Sequence, residues 1–73
     1  MNQRERILSD LKEFDGNVLE VEGKADPHAI DLAKRYASDA KYFLDKGDEF
    51  TSWGCINYAH GLIDAFRKST GKK

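Results

Sequence analysis

Two side chains in this sequence stand at a spacing that could carry chemistry: His60 and Asp64, one helical turn apart. At i, i+4 a carboxylate can orient an imidazole and raise its pKa, the arrangement of a general acid–base pair. The same spacing suits two metal ligands on one helix face, but a site needs three or four. His28 lies at the start of another predicted helix with no cysteine or acid cluster around it, so neither a metal nor a cofactor is expected. Catalysis needs a nucleophile or a second acid beside the pair, and none shares its face. Cys55, the sole cysteine, falls on an apolar face, where burial raises a thiol's pKa and keeps it inert. Asp39 borders the apolar face of its helix beside Tyr36. It reads as a hydrogen-bond or ion-pair partner across the bundle rather than half of a catalytic pair. Gly16, Gly23, Gly47, Gly54, Gly61 and Gly71 build no phosphate-cradling loop. The sequence therefore points away from an enzyme.

The elements that carry these residues are legible from periodicity. Ile7, Leu8, Leu11 and Phe14 predict a first helix over about residues 2–15, with Asn2 and Glu5 forming a capping box and Asp15-Gly16-Asn17 a stop. Residues 16–25 are expected to form an extended connector. The competing reading continues the helix through Gly16, because Ile7, Leu11, Phe14, Val18 and Val21 keep an unbroken four-three spacing. Asp26 as N-cap and Pro27 at the first helical position open a second helix, over about 26–46. Asp48 caps a third, over about 48–69, followed by a frayed tail at 70–73.

On helical wheels, Ala29, Ala33, Ala40 and Leu44 centre the second helix's apolar face, flanked by Leu32, Tyr36 and Phe43 and by Ile30 and Ala37. Cys55, Ala59, Leu62 and Phe66 centre that of the third, flanked by Ile56 and Ile63 and by Tyr58 and Ala65. The short Gly47-Asp48 junction makes the two antiparallel. Ala40 is then expected near Gly54, Ala33 near Gly61 and Ala29 near Ala65, small residues that let backbones approach. The predicted fold is all-α, a three-helix up-and-down bundle built on a long antiparallel helical hairpin, forming a single domain.

A polar line on the third helix, Trp53, Asn57, His60, Asp64 and Arg67, is the candidate interaction surface. Trp and Arg are favoured at hot spots. Tyr42, pointing away from the core of the second helix, joins it as a candidate contact.

Composition narrows the partners. Twelve basic and 13 acidic side chains leave a net charge of −1 in 73 residues, without the basic excess of a phosphate-tracking domain. Lys34, Arg35, Lys41 and Lys46 are interleaved with Asp31, Asp39 and Asp45, so nucleic acid is not the expected partner. No stretch resembles a signal peptide or approaches the ~20 apolar residues of a membrane span. A lone cysteine suits a reducing cytoplasm. At this length a core supplies little surplus stability, and help from a protein partner or a second copy is expected.

The hairpin YASDAKYFLDKGDEFTSWGCINYAHGLIDA resembles the central motif of a small archaeal family of unknown function, DUF357. The residues that carry the resemblance are Tyr36, Asp39, Ala40, Tyr42, Phe43, Leu44, Lys46, Gly47 and Asp48. They continue with Tyr58, Ala59, Gly61, Leu62, Asp64 and Ala65. Trp53 departs from the pattern, standing where the family has a smaller residue. The resemblance implies a compact helical bundle and an archaeal cytoplasmic setting, and it implies no activity. The hairpin is similar, more weakly, to the HEPN domains, whose ribonuclease members carry Arg four to six residues before His. Neither His28 nor His60 has an arginine at that distance. An accessory nucleic-acid-associated domain without the nuclease motif is the alternative reading.

Overall fold

The computed structural model describes residues 2–71, with side chains over residues 2–66. Three helices follow in order: α1 (Gln3–Val21), α2 (Pro27–Asp45) and α3 (Glu49–Gly71). Each begins on a side chain that satisfies the orphan amides of its first turn. Asn2 accepts from the Glu5 amide at 2.8 Å while the Glu5 carboxylate receives the Asn2 amide at 3.4 Å, closing the capping box. Asp26 accepts from the His28 amide at 3.1 Å ahead of Pro27. Asp48 accepts from the Thr51 amide, also at 3.1 Å. The Thr51 hydroxyl and amide together hold the Asp48 carboxyl below the usual carboxylate range, since both favour its charged form.

Between α2 and α3 the chain reverses through Gly47, the one positive-φ residue among those described (φ 87°). The Gly47 amide donates to Leu44 at 3.0 Å and the Asp48 amide to Phe43 at 2.9 Å, which is a Schellman closure of α2.

α1 runs six residues past the expected stop at Asp15, to Val21. The connector expected over 16–25 shrinks to a tight turn in which the Lys24 and Ala25 amides both donate to the Val21 carbonyl at 2.9 Å. The cause is energetic. A helical glycine costs about 1 kcal/mol, whereas continuing the four-three spacing buries Val18 and Val21, at about 1.5–3 kcal/mol each. Gly16 points to solvent, where a Cβ would meet nothing within 4 Å. Gly16→Ala is therefore expected to stabilise the protein by about 0.5–1 kcal/mol, read from the shift in its urea midpoint. A loss of stability there would contradict the continuous helix.

All three helices bury a stripe spaced alternately three and four. It comprises Ile7, Leu11, Phe14, Val18 and Val21 on α1, and Ile30, Ala33, Ala37, Ala40 and Leu44 on α2. On α3 it comprises Ser52, Ile56, Ala59 and Ile63. This is the seam of knobs-into-holes bundles. The up-and-down course is fixed by contacts at both ends. Arg4 near the start of α1 donates to the Leu44 carbonyl at the end of α2, at 3.2 Å. There its charge also meets the negative pole of the helix. Glu22 just past α1 pairs with Lys34 at 3.2 Å. α2 and α3 share the most extensive contact, and α1 rests on α3 far more than on α2.

That placement of α1 corrects the predicted faces. The core stripe of α3 centres on Ile56 and Ile63 rather than on Cys55, Leu62 and Phe66, which are half-buried at its edge. Tyr58 and Ala65, expected as flanks of the core, are exposed. On α2 the stripe shifts toward Ile30 and Ala37, leaving Ala29 half-buried and Leu32 exposed. A wheel drawn for the hairpin alone averages over one neighbour, whereas α3 has two.

The small-on-small pairing is also shifted. Gly54 and Gly61 are exposed, and a Cβ on either would meet nothing within 4 Å. The close approach lies instead where the buried Ser52 hydroxyl donates to the Ala40 carbonyl at 2.6 Å. In an antiparallel pair with Ser52 level with Ala40, Ala59 comes level with Ala33, and all four are fully buried. Of the tail expected to fray at 70–73, residues 70 and 71 continue α3 and the last two lie outside the described residues.

Candidate functional site

The line Trp53, Asn57, His60, Asp64 does not act as one solvent-facing stripe. His60 and Asp64 are half-buried and face α1, while Trp53 and Asn57 are exposed. His60 Nε2 lies 3.0 Å from the Asp10 carbonyl oxygen. A carbonyl only accepts, so Nε2 carries the hydrogen and donates. The imidazole meets the Phe14 ring edge-on, with centroids 5.6 Å apart at 86°. His60 thus reads as a strut between α1 and α3. Asp10, Glu13, Asn17, Asn57, His60 and Asp64 line a shallow groove there. Among the described residues, however, no three His, Cys, Asp or Glu side chains are placed to hold a metal ion.

Of the remaining predicted contacts, the Arg67 side chain lies outside the described residues. Tyr42 is 56 % exposed, but on its own helix. Its ring stands 5.2 Å from that of Phe43, and Lys46 Nζ lies 5.3 Å above it, a cation–π distance. Two of the four basic residues of the α2 patch are ion-paired, Lys34 with Glu22 at 3.2 Å and Arg35 with Asp31 at 3.6 Å. Asp39 is exposed, and its charge acts on Cys55.

Cys55, expected at the centre of the core, is half-buried. Its pKa is nevertheless raised, first by desolvation and then by the negative charges of Asp39 and Asp48. Both effects disfavour the thiolate. Cys55 should therefore alkylate with iodoacetamide at neutral pH more slowly than a free thiol in an unstructured peptide. Asp39→Asn should speed the reaction. Equal rates for wild type and variant would remove the electrostatic part of this account.

The face most open to a partner shares only Trp53 and Asn57 with the predicted surface. Phe50 is 82 % exposed, Tyr58 52 % and Trp53 42 %. With Gly54, Asn57, Gly61 and Ala65 they occupy the side of α3 turned away from the core stripe, and among the described side chains the one charge on it is Asp64, half-buried at the α1 edge between Trp53 and Asn57. Tyr58 extends this face toward α2, its ring 4.6 Å from that of Tyr36. The signal was available in the sequence. A wheel of α3 shows Phe50, Gly54, Gly61 and Ala65 opposite Ile56 and Ile63, with charge entering only at Asp64 on the edge and at Lys68 near the end of the helix. Assigning Gly54, Gly61 and Tyr58 to the hairpin interface concealed it.

Geometry thus defines the class: a small all-α three-helix bundle with a polar groove between α1 and α3 and an exposed aromatic face on α3. The chain belongs to the family described as "Protein of unknown function (DUF357)", whose pattern matches residues 6–70. The resemblance read at the hairpin thus extends over most of the chain, α1 included. The family carries no assigned activity. No curated protein matches the chain. Among the described residues no helix is long and apolar enough to cross a membrane.

Proposed function

We propose that this protein is a non-enzymatic, cytoplasmic interaction module whose contact surface is the outward face of α3. The observation that carries this reading is the exposure of three aromatics, Phe50, Trp53 and Tyr58, on one side of α3 with Gly54, Asn57, Gly61 and Ala65 between and beyond them. A helix apolar on two opposite sides is normally covered on both, and contiguous exposed apolar patches mark interaction sites. The outer sides of α1 and α2 are dense in Asp, Glu, Lys and Arg by contrast. Of the surface first drawn from spacing, Trp53 and Asn57 belong to this face. His60 and Asp64 form its border at the α1 groove, and Tyr42 lies apart on α2.

The test is photo-crosslinking in the native host with a benzophenone amino acid in place of Phe50, against the same group in place of Leu19. Leu19 is 74 % exposed on α1 and serves as a control for mere exposure. The expected result is a discrete protein adduct from position 50 and none from position 19. Adducts from both positions alike, or from neither, would overturn the reading.

A further inference from the structure

We infer that the outward face of α3 pairs with the same face of a second copy, antiparallel, about a two-fold axis between Asn57 and Tyr58. This rests on the interaction reading and adds the occupant. Its support is a symmetry in the positions themselves. With the axis midway between Asn57 and Tyr58, Gly54 of one copy comes level with Gly61 of the other. Phe50 comes level with Ala65, and Asn57 with Tyr58. Phe50 then meets a small residue and Tyr58 a polar one, Trp53 comes level with Leu62 at the edge of the face, and the two glycine pairs leave bare backbone at matching heights. A self-complementary patch of this kind is what an isologous dimer requires.

Charge and space agree. The charge described on this side, Asp64 at its α1 edge, does not bring like charges together. The border residue Asp64 comes level with Thr51 of the second copy rather than with its own equivalent. Inside one copy Gly54 and Gly61 have no neighbour that a Cβ would touch. Their smallness therefore serves nothing within the bundle that a side chain would disturb. The three aromatics at their observed exposures, with the adjoining backbone, offer about 500 Å² per copy, or about 1,000 Å² in total. That lies at the lower limit of specific interfaces, and predicts a dimer in the micromolar range.

Sedimentation equilibrium of the full chain across micromolar concentrations tests this. The expected result is a reversible monomer–dimer equilibrium that Phe50→Glu and Gly61→Gln each weaken at least tenfold. Gly61→Gln should at the same time raise the monomer's thermal midpoint, because the residue is exposed and helical. That opposite sign separates loss of pairing from loss of folding. The register is read by mixing two chains, both carrying Cys55→Ala, one with Gly54→Cys and the other with Gly61→Cys. Oxidation should link the mixture and neither chain alone, since like positions lie about 10 Å apart along the axis. A chain monomeric at all concentrations overturns the pairing, as does a dimer indifferent to both surface variants or single chains that link to themselves. If position 50 still crosslinks to a different protein, the pairing alone fails and the interaction reading stands. If position 50 crosslinks to nothing, both fail.

Discussion

Phe14→Ala is expected to cost about 3–5 kcal/mol, enough to populate the unfolded state of a small domain at ambient temperature. Phe14 is among the largest fully buried side chains and stands mid-way along the stripe by which α1 meets the rest of the bundle. Its ring is also the surface against which His60 rests. The loss is therefore larger than the transfer term alone, because the cavity also frees the imidazole that ties α3 to the Asp10 carbonyl. Urea denaturation followed by circular dichroism would read it as a fall in midpoint. A cycle of Phe14→Ala with His60→Ala should show coupling of about 0.5–1.5 kcal/mol. Leu8→Ala, on the same helix but half-exposed, should cost far less. Equal losses at positions 8 and 14 would contradict the register assigned to α1.

Ala40→Leu is the second large effect expected, a loss of about 2–3 kcal/mol. Ala40 is fully buried where the Ser52 hydroxyl reaches its carbonyl at 2.6 Å, the close approach of α2 to α3. A leucine there pushes the helices apart and breaks that bond. Ser52→Ala keeps the spacing and removes only the donor, so about 1 kcal/mol is expected. Gly54→Ala, two residues along the same helix, should do the reverse and stabilise the monomer by about 0.5–1 kcal/mol, since its Cβ enters open space. Had Gly54 faced Ala40, as the wheel of the isolated hairpin suggested, that substitution would destabilise. Thermal melts of these variants at one low concentration decide which residue of α3 lies against α2.

The sequence carried the helix count, the three N-caps, the Gly47 reversal and the family because each depends on local chemistry. An Asn, Asp or Gly at a helix end acts on amides and carbonyls a few residues away, and no distant neighbour can overrule it. What it carried poorly was rotation. Cys55 and Tyr58 look as buried as Ile56 and Ile63 when α3 is judged by hydrophobicity alone. Only the placement of α1 turns the helix so that Ser52 goes inside and Tyr58 outside. The end of α1 failed for a related reason: Gly16 is a poor helix residue locally, and burial of Val18 and Val21 outweighs it. The candidate site inherited the rotation error. His60 and Asp64 were placed on an open stripe and lie against α1, while Phe50 went unremarked.

The central claim is that this chain makes contact through the aromatic outward side of α3. Amide chemical shifts of the ¹⁵N-labelled chain, followed while it is concentrated through the micromolar range, test it most directly. The prediction is that shifts move at Phe50, Gly54, Asn57 and Gly61 and stay still at Leu8, Leu19 and Leu32. Movement centred on α1 or α2 would contradict it, and no movement at any concentration, together with no adduct from position 50, would do the same.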